Sequence, residues 1–264
     1  MRSSDLIVVQ VTGHLLKSIL QEGIPLFEKA SATIEPASAT APDPARSFGD
    51  ISGRAAGVGA LAFAAIVVLQ NVIRGASAPA NDATGQEVLT HYADHRAVTV
   101  VLAVTFVLSG VALATFLGAA MRRLLAGDRP AWAYAGAIGA IGIMAVFAVL
   151  VGTEEALSVV ATGREPDVAS IEALWALHNS VFTVLLLSVA VALLGLGRAG
   201  VAAGITPAAF ERLAPAGCAL LALASAAGPF IAAGEAMPIF ALGAVGFLIW
   251  LAFLVVTGRR LMRS

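Results

Sequence analysis

Six runs of predominantly apolar residues constrain this chain more than any other feature. They cover approximately residues 55–73, 97–121, 131–153, 177–197, 214–234 and 238–257. A helix needs about 20 apolar residues to cross a hydrocarbon layer of roughly 30 Å. None of the runs alternates polar and apolar positions, so a lipid-facing β-barrel does not fit. Lipid offers the backbone no hydrogen-bond partner, which makes each run a helix. The expected fold is therefore all-α, a polytopic transmembrane helix bundle with six spans. Only 12% of the residues are charged and 59% are hydrophobic, as such a bundle requires.

Basic residues set the expected orientation. With a cytoplasmic N-terminus, 13 of the 16 Lys and Arg fall on the inner side, and only Arg74, Arg96 and Arg164 fall outside. Five of the inner ones (Arg2, Lys17, Lys29, Arg46 and Arg54) precede or begin the first span. Without them the bias is still 8 to 3, in the same direction. Both termini are expected in the cytoplasm. Arg outnumbers Lys 14 to 2 and Ala and Gly abound, as in high-GC bacterial genomes, so the expected location is a bacterial plasma membrane. The net charge of −1 provides no basic stripe for phosphates to follow, which argues against nucleic acid as a partner. The expected partners are membrane lipid and other membrane proteins or further copies of the chain. Cys218, the single cysteine, can form no internal disulfide and lacks thiolate metal spacing.

Residues 1–50 differ from the rest and form an N-terminal cytoplasmic extension. Leu6, Val9, Leu16, Ile19, Leu20 and Ile24 fit one face of an amphipathic helix on the inner leaflet, with a flexible extension, or residues upstream of the natural start codon, as the alternative. Ser38–Asp50 reads as an unstructured linker before the transmembrane domain of residues 51–264. Thr206-Pro207 predicts an N-cap and a short helix over 207–213. Helix is also expected from Gly85, and from Asp167 to Trp175 with Asp167 or Ser170 as its cap. Small residues suit close helix packing: Ala131, Ala135 and Gly139 beside Gly136 and Gly142 in the third run, Gly57, Gly59, Ala60 and Ala64 in the first, and Ala216, Ala222, Ala226 and Ala227 in the fifth.

No charge lies near the midplane of any run, which speaks against an ion-driven pump. Ionisable residues gather at the outer boundary instead. His91 and His95 are one helical turn apart and share a face. Asp94 and Arg96 flank them, Glu154-Glu155 closes the third run, His178 opens the fourth, and Glu235 lies in the last outer turn. His and carboxylate ligands suit zinc, iron or copper, so His91, His95, Glu154 and His178 form a candidate metal set. Asp94, Arg96, Glu155 and Glu235 would complete an outer polar cluster. In the competing reading these residues mark where each helix leaves lipid, with Arg96 pairing to Glu154 or Glu155. A haem held by His95 and His178 is the remaining cofactor alternative; no cofactor is expected outright.

The stretch Leu89-Thr-His-Tyr-Ala-Asp-His-Arg-Ala-Val, with Phe116-Leu-Gly and Met121-Arg-Arg-Leu-Leu after it, resembles a group of uncharacterised six-helix membrane proteins of high-GC Gram-positive bacteria. The resemblance covers roughly Gly53–Arg260 and implies a fold without implying an activity. The leading functional expectation is a non-enzymatic structural or accessory subunit of a bacterial envelope complex. A small-molecule or lipid transporter or channel with an outward polar access site is the first alternative. An outward-facing metal or haem enzyme is the second.

Overall fold

The computed structural model describes residues 44–263, with side chains from residue 53. The amphipathic segment expected over residues 6–24 lies outside the described residues. All the described elements are helices: α1 (Pro44–Ser77), α2 (Gly85–Asp94), α3 (Arg96–Leu125), α4 (Pro130–Ala161), α5 (Val168–Ala202), α6 (Phe210–Ala226), α7 (Gly228–Ala232) and α8 (Met237–Arg263). Five are long and apolar enough to cross a membrane: Gly53–Ser77 of α1, and α3, α4, α5 and α8. The chain is thus built as a multi-pass membrane protein.

The run expected at 214–234 is divided. Gly228-Pro229 interrupts it, because proline has no N–H for the preceding turn and its ring crowds the carbonyl there. The result is a 17-residue α6 followed by the short α7. Three other expectations are corrected. α1 begins at Pro44, so the stretch 44–50 that reads as linker is helical; Pro at the first helical position starts it. Thr206 does not cap a helix at Pro207: residues 207–209 form turns, α6 starts at Phe210, and the Thr206 hydroxyl meets that of Thr257 at 2.9 Å inside the bundle. Asp167 caps as expected, its carboxylate accepting from Ala169 and Ser170 N–H, but the helix it starts runs unbroken into the fourth span.

The long helices form a ring in chain order. α1 packs on α3, α3 on α4, α4 on α5, α5 on α6 and α6 on α8, and α8 closes against α1. Glycine positions show that the neighbours run antiparallel. Gly136 faces Gly195 and Leu196 while Gly139 faces Ala192. Gly217 meets Ile249 while Gly243 meets Ala224, and Gly57 meets Gly258. The small-residue face of α4 is therefore Gly136, Gly139 and Gly142; Ala131 of the expected Ala131–Ala135–Gly139 row is exposed. Likewise α6 uses Ala214, Gly217, Leu221 and Ala224, with Ala216 exposed.

Phe63, Phe116, Leu193, Leu196, Leu221, Trp250 and Phe253 fill the interior of the ring, each almost without exposed surface. A second, smaller core lies beyond it. There α2 lays Val88 and Tyr92 on Leu157 and Ala161 of α4 and on Ile171 and Trp175 of α5. α4 has 32 residues and α5 has 35, or roughly 50 Å each at 1.5 Å per residue. That exceeds the roughly 30 Å of hydrocarbon, so one end of this pair stands clear of it and carries α2. At the opposite end lie the start of α1, the α3–α4 turn and the end of α8, where the guanidinium of Arg123 sits beside Gly53 and Leu261.

Candidate functional site

The polar centre of the molecule lies where α2 closes over the ring. Arg74 stands near the end of α1, in a segment whose backbone does not pack on α4. Its long side chain crosses that gap. Nε donates to Glu154 Oε1 at 2.8 Å and Nη2 donates to Oε2 at 2.9 Å, a bidentate fork on a carboxylate that is 3% exposed. His178 Nε2, from α5, approaches the same Oε1 at 3.3 Å. The guanidinium also lies over the Phe147 ring, 5.2 Å from its centroid. One carboxylate thus ties three helices together.

A further layer of contacts orients this triad. Trp175 stacks on His178 with ring centroids 4.9 Å apart and planes within 8°. Tyr92 meets Trp175 edge-on at 6.4 Å. Burial, then the nearby Glu154 charge, push the Tyr92 phenol above its ordinary pKa, so it stays neutral. Asn179 Nδ2 donates to the Asn81 carbonyl at 3.3 Å, and Asn81 Nδ2 donates to the Ile231 carbonyl at 3.1 Å. These two amides pin the α1–α2 loop to α5 and α7. Beside them a cleft of about 220 Å³ opens to the surface, lined by Asn81, Thr84, Glu172, Trp175 and Asn179.

The candidate residues divide. Glu154 and His178 meet, as partners of Arg74. His91 and His95 form a separate pair on α2, stacked with centroids 4.5 Å apart. Among the described residues, no three His, Cys, Asp or Glu side chains are placed to hold one metal ion. The four-residue metal set is therefore not assembled. Asp94, Arg96, Glu155 and Glu235 are exposed and stand apart from the Glu154 pairings. The expected Arg96–Glu154 pairing is replaced by Arg74–Glu154. Arg96 opens α3 at the surface, whereas Arg74 lies on the buried side of α1, one turn beyond the buried Gln70. Reading the residues missed Arg74, Tyr92, Trp175, Asn81 and Asn179. Arg74 carried a signal: it follows Gln70 by one turn at the end of an apolar run, where a cation needs a carboxylate.

α2 owes its start to a capping box. The Thr84 hydroxyl accepts from Glu87 N–H at 3.3 Å, and the Glu87 carboxylate accepts from Thr84 N–H at 2.8 Å. That Thr84 N–H, and then the Thr84 hydroxyl, which also donates to the carboxylate at 2.9 Å, hold the Glu87 carboxyl below its ordinary pKa. Burial, then the charge of His95, lower that of His91. Thr84→Ala is expected to weaken α2 by about 1 kcal/mol, the usual cost of a lost cap. Amide hydrogen exchange should accelerate over 85–94 and stay unchanged in α4; equal exchange over 85–94 in wild type and variant would refute the role of the cap.

No family model matches the chain, and no curated protein or solved structure shows significant similarity to it.

Proposed function

We propose that the protein is a non-enzymatic, six-span scaffold or accessory subunit of a bacterial envelope membrane complex. The observation that carries this reading is the engagement of Glu154. Both of its oxygens are held by Arg74, one of them also by His178, within a packed ring. The buried carboxylate of the bundle joins helices to one another, as a rigid platform requires. A transport site would present such groups to a cavity or a water path.

Six crossings are supported by the course of α6 and α7. Together they run from Phe210 to Ala232, roughly 34 Å at 1.5 Å per residue, antiparallel to both α5 and α8. The clustering of Arg122, Arg123, Arg129, Arg198, Arg212, Arg259, Arg260 and Arg263 at one end favours that end as cytoplasmic, in a bacterial plasma membrane. The outward face of α3 supplies the surface for a partner's transmembrane helix. Val100, Val104, Val107 and Val111 are all more than half exposed and recur at spacings of four and three, followed by Ala114 and Gly118.

Purification in mild detergent at native expression, followed by mass spectrometry, tests this. Specific membrane proteins should co-purify with the wild type and be lost from Val104→Trp/Val107→Trp, while thermal stability is retained. Recovery as a lone monomer would refute the scaffold reading. So would equal recovery of partners by the variant.

A further inference from the structure

An imidazole carries one N–H when neutral and two when charged, and the partners of His178 fit only one of these forms. The residue is 8% exposed with Trp175 stacked on it, so protein groups and little water must match its donors. Nε2 stands 3.3 Å from Glu154 Oε1, and Nδ1 stands 3.4 Å from Asn179 Oδ1. Both partners are oxygens that can only accept. In neutral His178 the carboxylate takes the single N–H at Nε2, and the Nδ1 lone pair then faces Oδ1. Turning the Asn179 amide over does not relieve this. Asn179 Nδ2 donates to the Asn81 carbonyl at 3.3 Å, so a flipped amide sets Oδ1 against that carbonyl instead. Neutral His178 thus always leaves one mismatched contact in the row Glu154–His178–Asn179–Asn81. The imidazolium leaves none.

We propose that His178 is a proton-binding site whose charged form locks the α1–α2 loop onto α5. When the proton leaves, the Asn179 amide turns away from the ring to relieve the clash of lone pairs. That rotation gives up the Asn179–Asn81 hydrogen bond and frees the loop from α5, while Asn81 still donates to Ile231 of α7. Asn81 and Asn179 both line the cleft beside them, so the cleft widens with the same step. The lock is present in acid and released as pH rises. The charges around the ring oppose one another: Glu154 of α4 attracts the imidazolium, and Arg74 of α1, forked on the same carboxylate, repels it. From α2, Tyr92 reaches the Trp175 ring and is neutral; Glu87 and His95 are exposed and His91 is half-buried. Asp82 in the loop, Arg96 on α3, Glu155 on α4 and Glu172 on α5 are exposed, and α7 has no ionisable residue. The site is independent of the scaffold reading.

Amide hydrogen exchange of the detergent-purified full-length protein tests this, each rate being divided by that of a free amide at the same pH. Protection over residues 78–84 should be about fivefold higher near pH 5 than near pH 8, the worth of one net hydrogen bond over the range in which imidazoles titrate. Protection in α6 should not follow. His178→Gln should abolish this pH dependence by removing the proton site, and Asn179→Leu by cutting its link to the loop. His91→Gln/His95→Gln should keep it, because those rings lie outside the row. Nitrogen NMR of the same double variant, in which only His14 and His178 remain, should show a buried imidazole protonated on both nitrogens in acid and on one in base. Equal protection of the wild-type loop at both pH values would overturn the proposal without recourse to any variant. So would a pH dependence that survives His178→Gln, or one shared by α6.

Discussion

Glu154→Ala is expected to be the most damaging single substitution in the polar centre. It removes the partner of Arg74, whose side chain is only 15% exposed, and leaves a guanidinium enclosed without a counter-charge. Breaking a buried pair by deleting one member costs about 3–5 kcal/mol, mainly because the surviving charge has lost its water and gained nothing. In a chain of this length that corresponds to a fall in melting temperature on the order of 10 °C in detergent. Glu154→Gln should fall between wild type and Ala, because its amide oxygen still accepts one hydrogen bond while the charge is gone. The double substitution Arg74→Met/Glu154→Leu decides the mechanism. It removes both charges at similar volume and should recover most of the loss, as replacement of buried ion pairs by apolar side chains commonly does. A double variant no better than Glu154→Ala alone would mean that packing volume, and not the unpaired charge, sets the cost. Removing the imidazole by His178→Ala should cost less than Glu154→Ala, since Arg74 keeps both of its hydrogen bonds to the carboxylate.

The contrast between Arg74 and Arg96 shows what a linear reading can and cannot reach. The apolar runs were legible because lipid forces any such segment into helix, whatever its neighbours do. All the runs except 214–234 reappear inside single long helices. Partner choice was not legible, because it depends on which helices adjoin in the ring. Arg96 is closer to the His pair in sequence and looked better placed, yet it opens α3 at the surface. Arg74 reaches Glu154 across 80 positions of chain, over a gap created by α3 lying between α1 and α4. The same logic explains the division of the candidate site. The distribution of basic residues implied a shared depth for His91, His95, Glu154 and His178, but depth along a helix says nothing of direction around it. α2 leaves His95 exposed and His91 half-buried at its end, while Glu154 and His178 are buried between α4, α5 and the Arg74 side chain. The interruption at Gly228-Pro229 was hidden for another reason: hydropathy is blind to a break that leaves composition apolar.

Gly195→Leu is the second expected large effect, and the α4–α5 contact is the reason. A Cβ on Gly195 would collide with the backbone nitrogen of Gly136, with its Cα at 2.5 Å and with the Trp132 carbonyl at 2.7 Å. Backbone cannot rotate away as a flexible side chain can, so the helices must separate. Gly139 is equally confined, with the backbone of Ala192 and Val191 against it. Forced overpacking costs about 1–3 kcal/mol even for small additions, and a leucine exceeds that range. Opposing it, any residue that replaces glycine inside a helix gains up to about 1 kcal/mol in helix propensity. The steric cost wins at Gly195 and Gly139. It vanishes at Gly152, on the exposed face of the same α4, where nothing lies within 4 Å of an added Cβ. Gly152→Leu should therefore hold or raise the melting temperature, while Gly195→Leu lowers it sharply and Gly195→Ala lowers it less. Thermal unfolding of the three variants side by side reads this order directly. Equal losses at Gly152 and Gly195 would show that glycine serves these helices through flexibility, and that the close backbone approach of α4 to α5 does not hold the bundle together. The His178–Glu154 contact depends on that approach, because α4 and α5 must lie close for His178 to share the carboxylate. Gly195→Leu should consequently weaken the His178–Glu154 contact as well, so that Gly195→Leu/His178→Ala loses less than the sum of the two single substitutions.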